Sequence, residues 1–163
     1  MSDDFIVVGS VPDDPLANDI AHYLKQETEI SDLLAYKIFA NSEFCPRFIS
    51  DEDVFEDIGR LLNSKTVILV SSCSGQISRN ERAMRNFLIA RAAKDNGAKK
   101  IILIEPDLFY SAQDRGPRAE HGLPGLSRSI HDFKKFDGQP FSSLLYAQLL
   151  KCSGIDKIMT VHN

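Results

Sequence analysis

The sequence of 163 residues lacks the features that mark several protein classes. No apolar run approaches the roughly 20 residues of a membrane-spanning helix, so no membrane span is predicted. The formal net charge is −4 and Lys and Arg form no stripe, which argues against nucleic-acid binding. The three cysteines, Cys45, Cys73 and Cys152, match neither a zinc pattern nor a disulfide framework. We therefore expect a protein of the reducing cytoplasm.

Two glycine signatures of nucleotide binding are also missing. The first apolar run, Phe5–Gly9, is not followed by a Gly-x-Gly-x-x-Gly turn, which argues against a dinucleotide site. The small polar segment Ser72–Gly75 lacks the Gly and Lys spacing of a P-loop. No nucleophile is paired with a histidine or another base in a pattern suited to acyl transfer.

Short apolar runs alternate with helical patterns along the chain, and this alternation predicts one α/β domain over residues 1–163 with a largely parallel sheet. The predicted strands are Phe5–Gly9, Leu34–Phe39, Lys65–Ser71, Lys100–Glu105 and Asp156–Val161. The predicted helices are one capped by Asp13 or Asp14, one at Glu81–Asn96 capped by Ser78 or Asn80, and one at Phe141–Lys151. Irregular structure is predicted for Asn41–Asp53 and Gly116–Gln139.

The polar residues Phe109–Arg115 follow directly after a run that predicts a buried strand, Lys100–Ile104. In open α/β sheets, ligands bind outside the carboxyl ends of the strands. This segment is therefore the first candidate for a binding site.

Several segments resemble one known family, and they occur in that family's order. Arg47–Glu52 resembles an Arg-Phe-x-Asp-Gly-Glu segment, and Leu108–Arg115 resembles a Pro-Tyr-x-Arg-Gln-Asp-Arg segment. Val67–Ser72 with Asn80 resembles the central strand and its turn, and Ile155–Val161 resembles the strand that leads to an Asp-x-His motif. The chain as a whole resembles the N-terminal half of a ribose-phosphate pyrophosphokinase (phosphoribosyl pyrophosphate synthetase).

The resemblance implies a phosphoribosyltransferase-like, three-layer α/β domain. It also implies that the intact enzyme uses Mg²⁺ to transfer a diphosphate from ATP to ribose 5-phosphate, and that it is a homo-oligomer. In the chain as given we expect the domain that carries most of the ATP site. The family's ribose-phosphate loop and catalytic lysine have no match here, so no catalytic residue is assigned and the chain alone is expected to be inactive.

The resemblance also assigns candidate site residues. The implied ATP-binding residues are Phe48, Ser50, Glu52, Gln113, Asp114 and Arg115. Phe48 would stack on adenine and Glu52 would accept a hydrogen bond from its amine, while Arg115 would approach phosphate. His162 falls where the family has the aspartate of its Asp-x-His motif and is the candidate Mg²⁺ ligand. Without the resemblance, a core position for Phe48 and a turn at Gln113–Asp114 are the simpler interpretations.

Two departures from the family leave alternatives open. Ala112 stands where the family has an arginine that helps to hold ATP, and the predicted loop insertion, about residues 116–139, is longer than the family's. Arg115 or Arg118 would have to replace the lost arginine. The first alternative is a non-catalytic regulatory or binding homologue of the same fold. The second is an unrelated doubly wound nucleotide or flavin binder.

Overall fold

A four-stranded parallel sheet forms the centre of the protein. The computed structural model describes residues 4–49, 61–72, 77–116 and 129–161, apart from the side chains of Asp132 and Phe133. The strands of the sheet lie in the order β1 (Phe5–Gly9), β4 (Thr66–Val70), β5 (Lys100–Ile104) and β6 (Lys157–Met159). Three of them are continuous apolar runs, as expected of strands in a parallel sheet.

A two-stranded antiparallel hairpin and five helices complete the described structure. The hairpin pairs β2 (Leu34–Ile38) with β3 (Phe44–Phe48). The helices are α1 (Pro15–Tyr23), α2 (Ile30–Leu33), α3 (Arg79–Asp95), α4 (Ile130–Lys135) and α5 (Ser142–Ser153). The long helix α3 packs on β4, on β5 and on the hairpin strand β3, and α5 packs on α3. The predicted α/β fold with a parallel sheet is confirmed.

The hairpin corrects two predictions. Leu34–Phe39 was expected to be a second strand, and its first five residues are one, but that strand lies outside the parallel sheet. Asn41–Asp53 was predicted to be irregular because of Pro46, yet Pro46 lies within β3 opposite Tyr36. Both strands of a two-stranded sheet are edge strands, where a proline can face outward without removing a ladder hydrogen bond.

Helix α4 corrects the prediction that Gly116–Gln139 is irregular throughout. The glycine and proline signals on which that prediction rested fall mostly in residues 117–128, which lie outside the described residues. A helix of six residues is too short to show a helical period, so no sequence pattern predicts it.

Helix termini follow the capping residues in the sequence. Asp14 caps α1, with its Oδ1 accepting the amides of Leu16 at 3.1 Å and Ala17 at 3.3 Å, and Pro15 begins the helix. Ser78, one of the two predicted caps of α3, accepts the Glu81 amide at 3.1 Å. Helix α5 ends at Gly154, whose φ of +101° is the left-handed conformation that glycine adopts most readily.

The buried face of α3 is only partly apolar. Met84, Phe87, Leu88, Arg91 and Ala92 recur at helical spacing near one face of the helix, where Phe87 and Ala92 pack against the core while Met84 and Arg91 are exposed. The buried residues of the helix are Arg82, Ala83, Arg85, Asn86, Ile89, Ala90 and Ala93. Three of these are polar or charged, so the apolar period of the sequence does not by itself identify the fully buried side of the helix.

Within the described residues, no helix combines the length and the apolar character needed to cross a membrane.

Gly9, the last residue of β1, packs so closely against the following turn that a side chain there would clash. Substitution of Gly9 therefore tests the fold. A Cβ at Gly9 would lie 2.4 Å from the carbonyl oxygen of Val11 and 3.0 Å from Cβ of Asp14. Gly9→Ala should therefore lower the free energy of unfolding by about 1–3 kcal/mol, measured by urea denaturation. The control is Gly138→Ala, where no atom lies within 4 Å of the added methyl group. Its positive φ should cost only about 1 kcal/mol. A Gly9→Ala protein as stable as the wild type would contradict this packing.

Candidate functional site

Three buried polar residues follow the ends of three neighbouring strands. Ser10 comes after β1, Ser71 after β4 and Glu105 after β5, and all three are fully buried. Each extends the sheet by one bond: the Ser10 amide donates to Val70 at 2.8 Å, and the Ser71 amide donates to Ile104 at 2.8 Å. They form a polar row at the carboxyl edge of the sheet, where parallel α/β proteins bind ligands.

Side chains from the helices hold each member of this polar row. Arg82 of α3 donates to the Ser10 hydroxyl at 3.2 Å, and Asn86, one turn later, donates to the Ser71 hydroxyl at 3.1 Å. The hydroxyl of Tyr146 in α5 donates to the Glu105 carboxylate, at 2.9 Å from Oε2 and 3.1 Å from Oε1. Buried polar groups that are paired in this way rigidify the backbone around them.

Asp14 joins the turn after β1 to the end of β4. Besides capping α1, its carboxylate accepts the Ser72 amide at 3.0 Å and the Ser72 hydroxyl at 2.8 Å. Asp14 is fully buried, so these hydrogen bonds replace the water that a carboxylate would otherwise bind. The two loops that open onto the carboxyl edge are thereby fixed to each other.

Residues 106–116, which we call the edge segment, follow Glu105 and are anchored at several points. The Phe109 ring is buried, and its amide donates to Glu105 Oε1 at 3.3 Å. Tyr110 has a φ of +61°, unusual for a residue with a side chain, and its hydroxyl donates to Asn80 Oδ1 at 2.6 Å. Such a conformation persists only where the surroundings impose it.

The same segment is tied to both flanking helices. Arg79, at the start of α3, forms an ion pair with Asp107, and its guanidinium lies 5.6 Å from the centroid of the Phe109 ring. At the other end, the Gln113 carbonyl accepts the Ser143 amide at 3.2 Å, and the Ser142 hydroxyl donates to Gln113 Oε1. The segment is therefore held between the first turns of α3 and α5.

The structure brings together only part of the predicted ATP site. Gln113, Asp114 and Arg115 lie side by side on the edge segment and are exposed, with Arg115 Nε 4.0 Å from Asp114 Oδ1. Phe48 lies at the end of the hairpin with its ring in the hydrophobic core and only 1% exposed. Stacking of this ring on a base would require it to leave the core, so that role stays a prediction. Ser50, Glu52 and His162 lie outside the described residues.

Sequence reasoning missed four residues that shape this edge: Arg79, Arg82, Glu105 and Tyr146. Of these four, only Glu105 could have been found from the sequence, because a charged residue that directly follows a buried strand must lie at the edge of the sheet. Arg82 and Tyr146 lie on helices whose polar contacts depend on tertiary packing, and no local pattern reveals them. In the described part of the chain, no group of three or more His, Cys, Asp or Glu side chains is arranged to hold a metal ion.

Burial raises the pKa of Glu105 to about 7. Hydrogen bonds from Tyr146 and Phe109 act in the opposite direction by favouring the ionised form. The charge of Asp107 raises the pKa further, and that of Arg79 lowers it. The carboxyl group is therefore poised to change its charge near neutral pH, at the base of the edge segment.

A second concave site lies elsewhere, between the hairpin and α3. This cleft of about 830 Å³ is lined by Ile38, Ser42, Glu43, Phe44, Glu81, Met84, Arg85 and Leu88. Its polar groups are partly paired with each other, since Arg85 Nη2 donates to Glu81 Oε1 at 2.8 Å. Of the predicted site residues that the structure describes, none lines this cleft. We favour the carboxyl edge as the functional site because several independent polar anchors converge there.

The raised pKa of Glu105 predicts a pH-dependent stability. A carboxyl group with a higher pKa in the folded than in the unfolded state contributes stability below pH 4.5, and this is lost as pH rises through about 7. Relative to Glu105→Gln, the wild type should lose on the order of 2 kcal/mol of unfolding free energy between pH 5.5 and pH 8. Urea denaturation at both pH values measures this. A constant difference between the two proteins would show that Glu105 does not titrate in this range.

Comparisons with known sequences point to one family. A sequence model of the N-terminal domain of ribose phosphate pyrophosphokinase matches residues 6–124. Ribose-phosphate pyrophosphokinase 5 of Schizosaccharomyces pombe is 35% identical over 101 residues, which make up 58% of this chain and 29% of that protein. The ribose-phosphate pyrophosphokinase of Rhizobium meliloti is 26% identical over 117 residues, which make up 71% of this chain and 31% of that protein.

A solved structure shares the fold. The crystal structure of phosphoribosylpyrophosphate synthetase from Mycobacterium smegmatis superimposes with a TM-score of 0.67 at 22% identity, covering 96% of this chain and 41% of that one. The chain thus spans 29–31% of the length of the curated relatives described above. Because the family match runs from β1 through the edge segment, this protein belongs to the ribose-phosphate pyrophosphokinase family and carries its N-terminal domain.

Proposed function

We propose that this chain is the ATP-binding N-terminal domain of a ribose-phosphate diphosphokinase, which converts ATP and ribose 5-phosphate to phosphoribosyl pyrophosphate and AMP. The observation that carries the proposal is the exposed run Gln113–Arg115, held at the carboxyl edge of the sheet by a segment anchored at both ends. An anchored segment presents its polar groups in one geometry, which lowers the entropic cost of binding a nucleotide.

The chemistry of this run suits a nucleotide with its metal. Asp114 and Arg115 place a carboxylate and a guanidinium 4.0 Å apart on the surface. The guanidinium presents a fork of donors that matches phosphate oxygens. Mg²⁺ commonly binds through one or two carboxylates together with waters and substrate phosphates, so Asp114 would accept hydrogen bonds from metal-bound water or from a ribose hydroxyl. Phosphoryl transfer depends mainly on such positioning and charge neutralisation.

We propose that Arg79 replaces the arginine that the family has at the position of Ala112. Ala112 is exposed on the edge segment and offers no donor. Arg79 reaches the same segment from the start of α3 through its contacts with Asp107 and the Phe109 ring. Its side chain is 56% exposed, which leaves the guanidinium accessible to a bound anion. This assignment differs from the expectation that Arg115 or Arg118 takes over.

This chain spans less than a third of the length of the curated relatives. We assign the ribose 5-phosphate site and the transfer step to the whole protein. We propose that the active species is a cytoplasmic homo-oligomer and that Ser50, Glu52 and His162 contribute to its nucleotide and Mg²⁺ sites. A second candidate function is a non-catalytic binding homologue, and the exposed Ala112 favours it. Turnover of ATP and ribose 5-phosphate by the native polypeptide that contains this chain separates the two.

The proposal predicts that the chain binds Mg-ATP through the edge segment. Asp114→Asn should weaken Mg-ATP binding about tenfold or more in isothermal titration calorimetry, because it removes a charged acceptor. The matched control is Asp19→Asn on the exposed face of α1, which should leave the affinity unchanged. Equal affinities for wild type and both variants would place the nucleotide elsewhere, and absence of binding by the wild type would overturn the proposal.

The role proposed for Arg79 has its own test. Arg79→Ala should weaken Mg-ATP binding about tenfold, and Arg79→Lys should restore part of the affinity because it keeps the charge without the planar fork. Arg91→Ala is the control, since Arg91 is exposed and paired with Asp95 at the far end of α3. If Arg79→Ala binds Mg-ATP as tightly as the control does, Arg79 does not replace the family arginine, and Arg115 or Arg118 remain the candidates.

A further inference from the structure

The parallel sheet ends in β1 on one side and in β6 on the other. A strand at the end of a sheet carries a row of backbone amides and carbonyls to which another strand can pair. β6 is poorly suited to such pairing, since it has only three residues and begins with Lys157. β1 is better suited, because Phe5–Gly9 has five residues without a charge and Phe5 is 45% exposed. Short uncharged runs of aromatic and β-branched residues associate readily.

Every second residue of β1 directs its backbone groups away from β4. Before the strand, the Asp4 carbonyl accepts the Thr66 amide at 2.8 Å. After the strand, the Ser10 amide donates to the Val70 carbonyl at 2.8 Å. The even-numbered residues therefore face β4, and in the described part of the chain no strand pairs with the opposite side, which we call the outer side of β1. The residues that face the outer side are Phe5, Val7 and Gly9.

The side chain of Gln26 pairs with Val7 on the outer side of β1. Gln26 Oε1 accepts the Val7 amide at 2.7 Å, and Gln26 Nε2 donates to the Val7 carbonyl at 3.2 Å. These are the two hydrogen bonds that a residue of an antiparallel strand would exchange with Val7. Gln26 Nε2 also donates to the Thr28 carbonyl at 3.0 Å. A reversed amide would place its oxygen against two carbonyl oxygens, so the network fixes the orientation of the group.

The end of helix α1 brings Gln26 to this position. The Lys25 amide donates to the His22 carbonyl at 3.0 Å. The Gln26 amide donates to the Ala21 carbonyl at 2.9 Å, which completes the two hydrogen bonds of a Schellman motif. Lys25 has a φ of +57°, the left-handed conformation that glycine usually supplies at this point. A residue with a side chain keeps it only where the surroundings impose it, so the helix end holds Gln26 in place.

Tyr36 of the hairpin occupies the next outward carbonyl of β1. Its hydroxyl donates to the Gly9 carbonyl at 2.8 Å, and its ring centroid lies 6.2 Å from that of Phe44. Burial raises the pKa of the Tyr36 phenol, so the hydroxyl stays protonated and able to donate at neutral pH. Gln26 and Tyr36 come from different elements of the chain and reach the same side of one strand. Together they occupy both backbone groups of Val7 and the carbonyl of Gly9.

We propose that Gln26 and Tyr36 form an autoinhibitory contact that closes the outer side of β1 to strand addition, and that the strand excluded is β1 of a second copy of this chain. β1 is complementary to itself, since a twofold axis at Val7 would set two antiparallel copies with Val7 opposite Val7. Each copy would then exchange the two hydrogen bonds that Gln26 now provides. The contact thereby directs association between copies away from this side of the sheet.

Hydrogen exchange of the wild type tests the contact without any substitution. An outward amide on a terminal strand lies next to water, and without a partner it exchanges at nearly the rate of an unstructured peptide. The Val7 amide should exchange at least tenfold more slowly than that rate, at a protein concentration in the low micromolar range, because Gln26 holds it. Exchange of Val7 at the unstructured rate would overturn the proposal. This test applies even if the variants below do not fold.

A labelled peptide with the sequence of residues 4–10 tests whether the contact blocks strand addition. In fluorescence anisotropy, Gln26→Ala should bind the peptide at least tenfold more tightly than the wild type, because two competing hydrogen bonds are lost. Gln26→Glu should lie between them, since a carboxylate accepts the Val7 amide but cannot donate to its carbonyl. Gln148→Ala, at an exposed position of α5, is the matched control and should bind as the wild type does. Equal affinities of wild type and Gln26→Ala would overturn the proposal.

The position of the bound peptide is the next criterion. In Gln26→Ala, amide NMR should place the largest peptide-induced shifts on Phe5, Val7 and Gly9. Adding Tyr36→Phe, which removes only the hydroxyl, should raise the affinity further. Shifts centred on Lys157–Met159 would show that an added strand pairs at the other end of the sheet, and the proposal would fall.

Sedimentation velocity tests the second copy as the excluded partner. Gln26→Ala should show an association with a dissociation constant at least tenfold lower than any found for the wild type or Gln148→Ala, and the peptide of residues 4–10 should compete with it. Unchanged association of Gln26→Ala would overturn this assignment. β1 and β5 lie on opposite sides of β4, so these outcomes do not depend on whether the edge segment binds Mg-ATP.

Discussion

The structure depends on hydrogen bonds between buried side chains and the carboxyl edge of the parallel sheet. Ser10, Ser71 and Glu105 extend three strands into one polar row, and Arg82, Asn86 and Tyr146 hold that row from α3 and α5. Burial of these groups would be costly if they were unpaired, so the helices and the strand ends must adopt their positions together. The position of the edge segment depends on this arrangement, because the Phe109 amide of that segment donates to the Glu105 carboxyl group.

Because of this dependence, the edge segment keeps its position without any contribution from the side chain of Ala112. The position of the segment is set by Phe109, Tyr110 and Gln113, whose contacts reach α3 and α5, and not by the side chain at 112. The arginine that the resemblance implies at this position would therefore supply a donor and not the scaffold. A cation on a neighbouring element, such as Arg79 at the start of α3, contacts the same segment, and we propose that it binds phosphate there.

The sequence predicted the parts of this protein that local patterns determine. The apolar runs of β1, β4 and β5 predicted their bounds to within one residue, and Asp14 and Ser78, each one of two predicted caps, mark the starts of α1 and α3. Tertiary contacts decided the rest. Arg82 and Asn86 lie on the inward face of α3 because they form hydrogen bonds with Ser10 and Ser71 at the sheet edge. Phe48 fills the core although its segment resembles a base-binding motif. Spacing along the chain reveals neither outcome.

Amide NMR of the full chain during titration with Mg-ATP shows whether the nucleotide binds at the edge segment. If it does, the largest chemical-shift changes should fall on Gln113, Asp114 and Arg115, with smaller changes at Arg79 and Phe109. Changes centred on Phe44, Met84 and Leu88, which line the cleft between the hairpin and α3, would contradict it. So would a spectrum that Mg-ATP leaves unchanged.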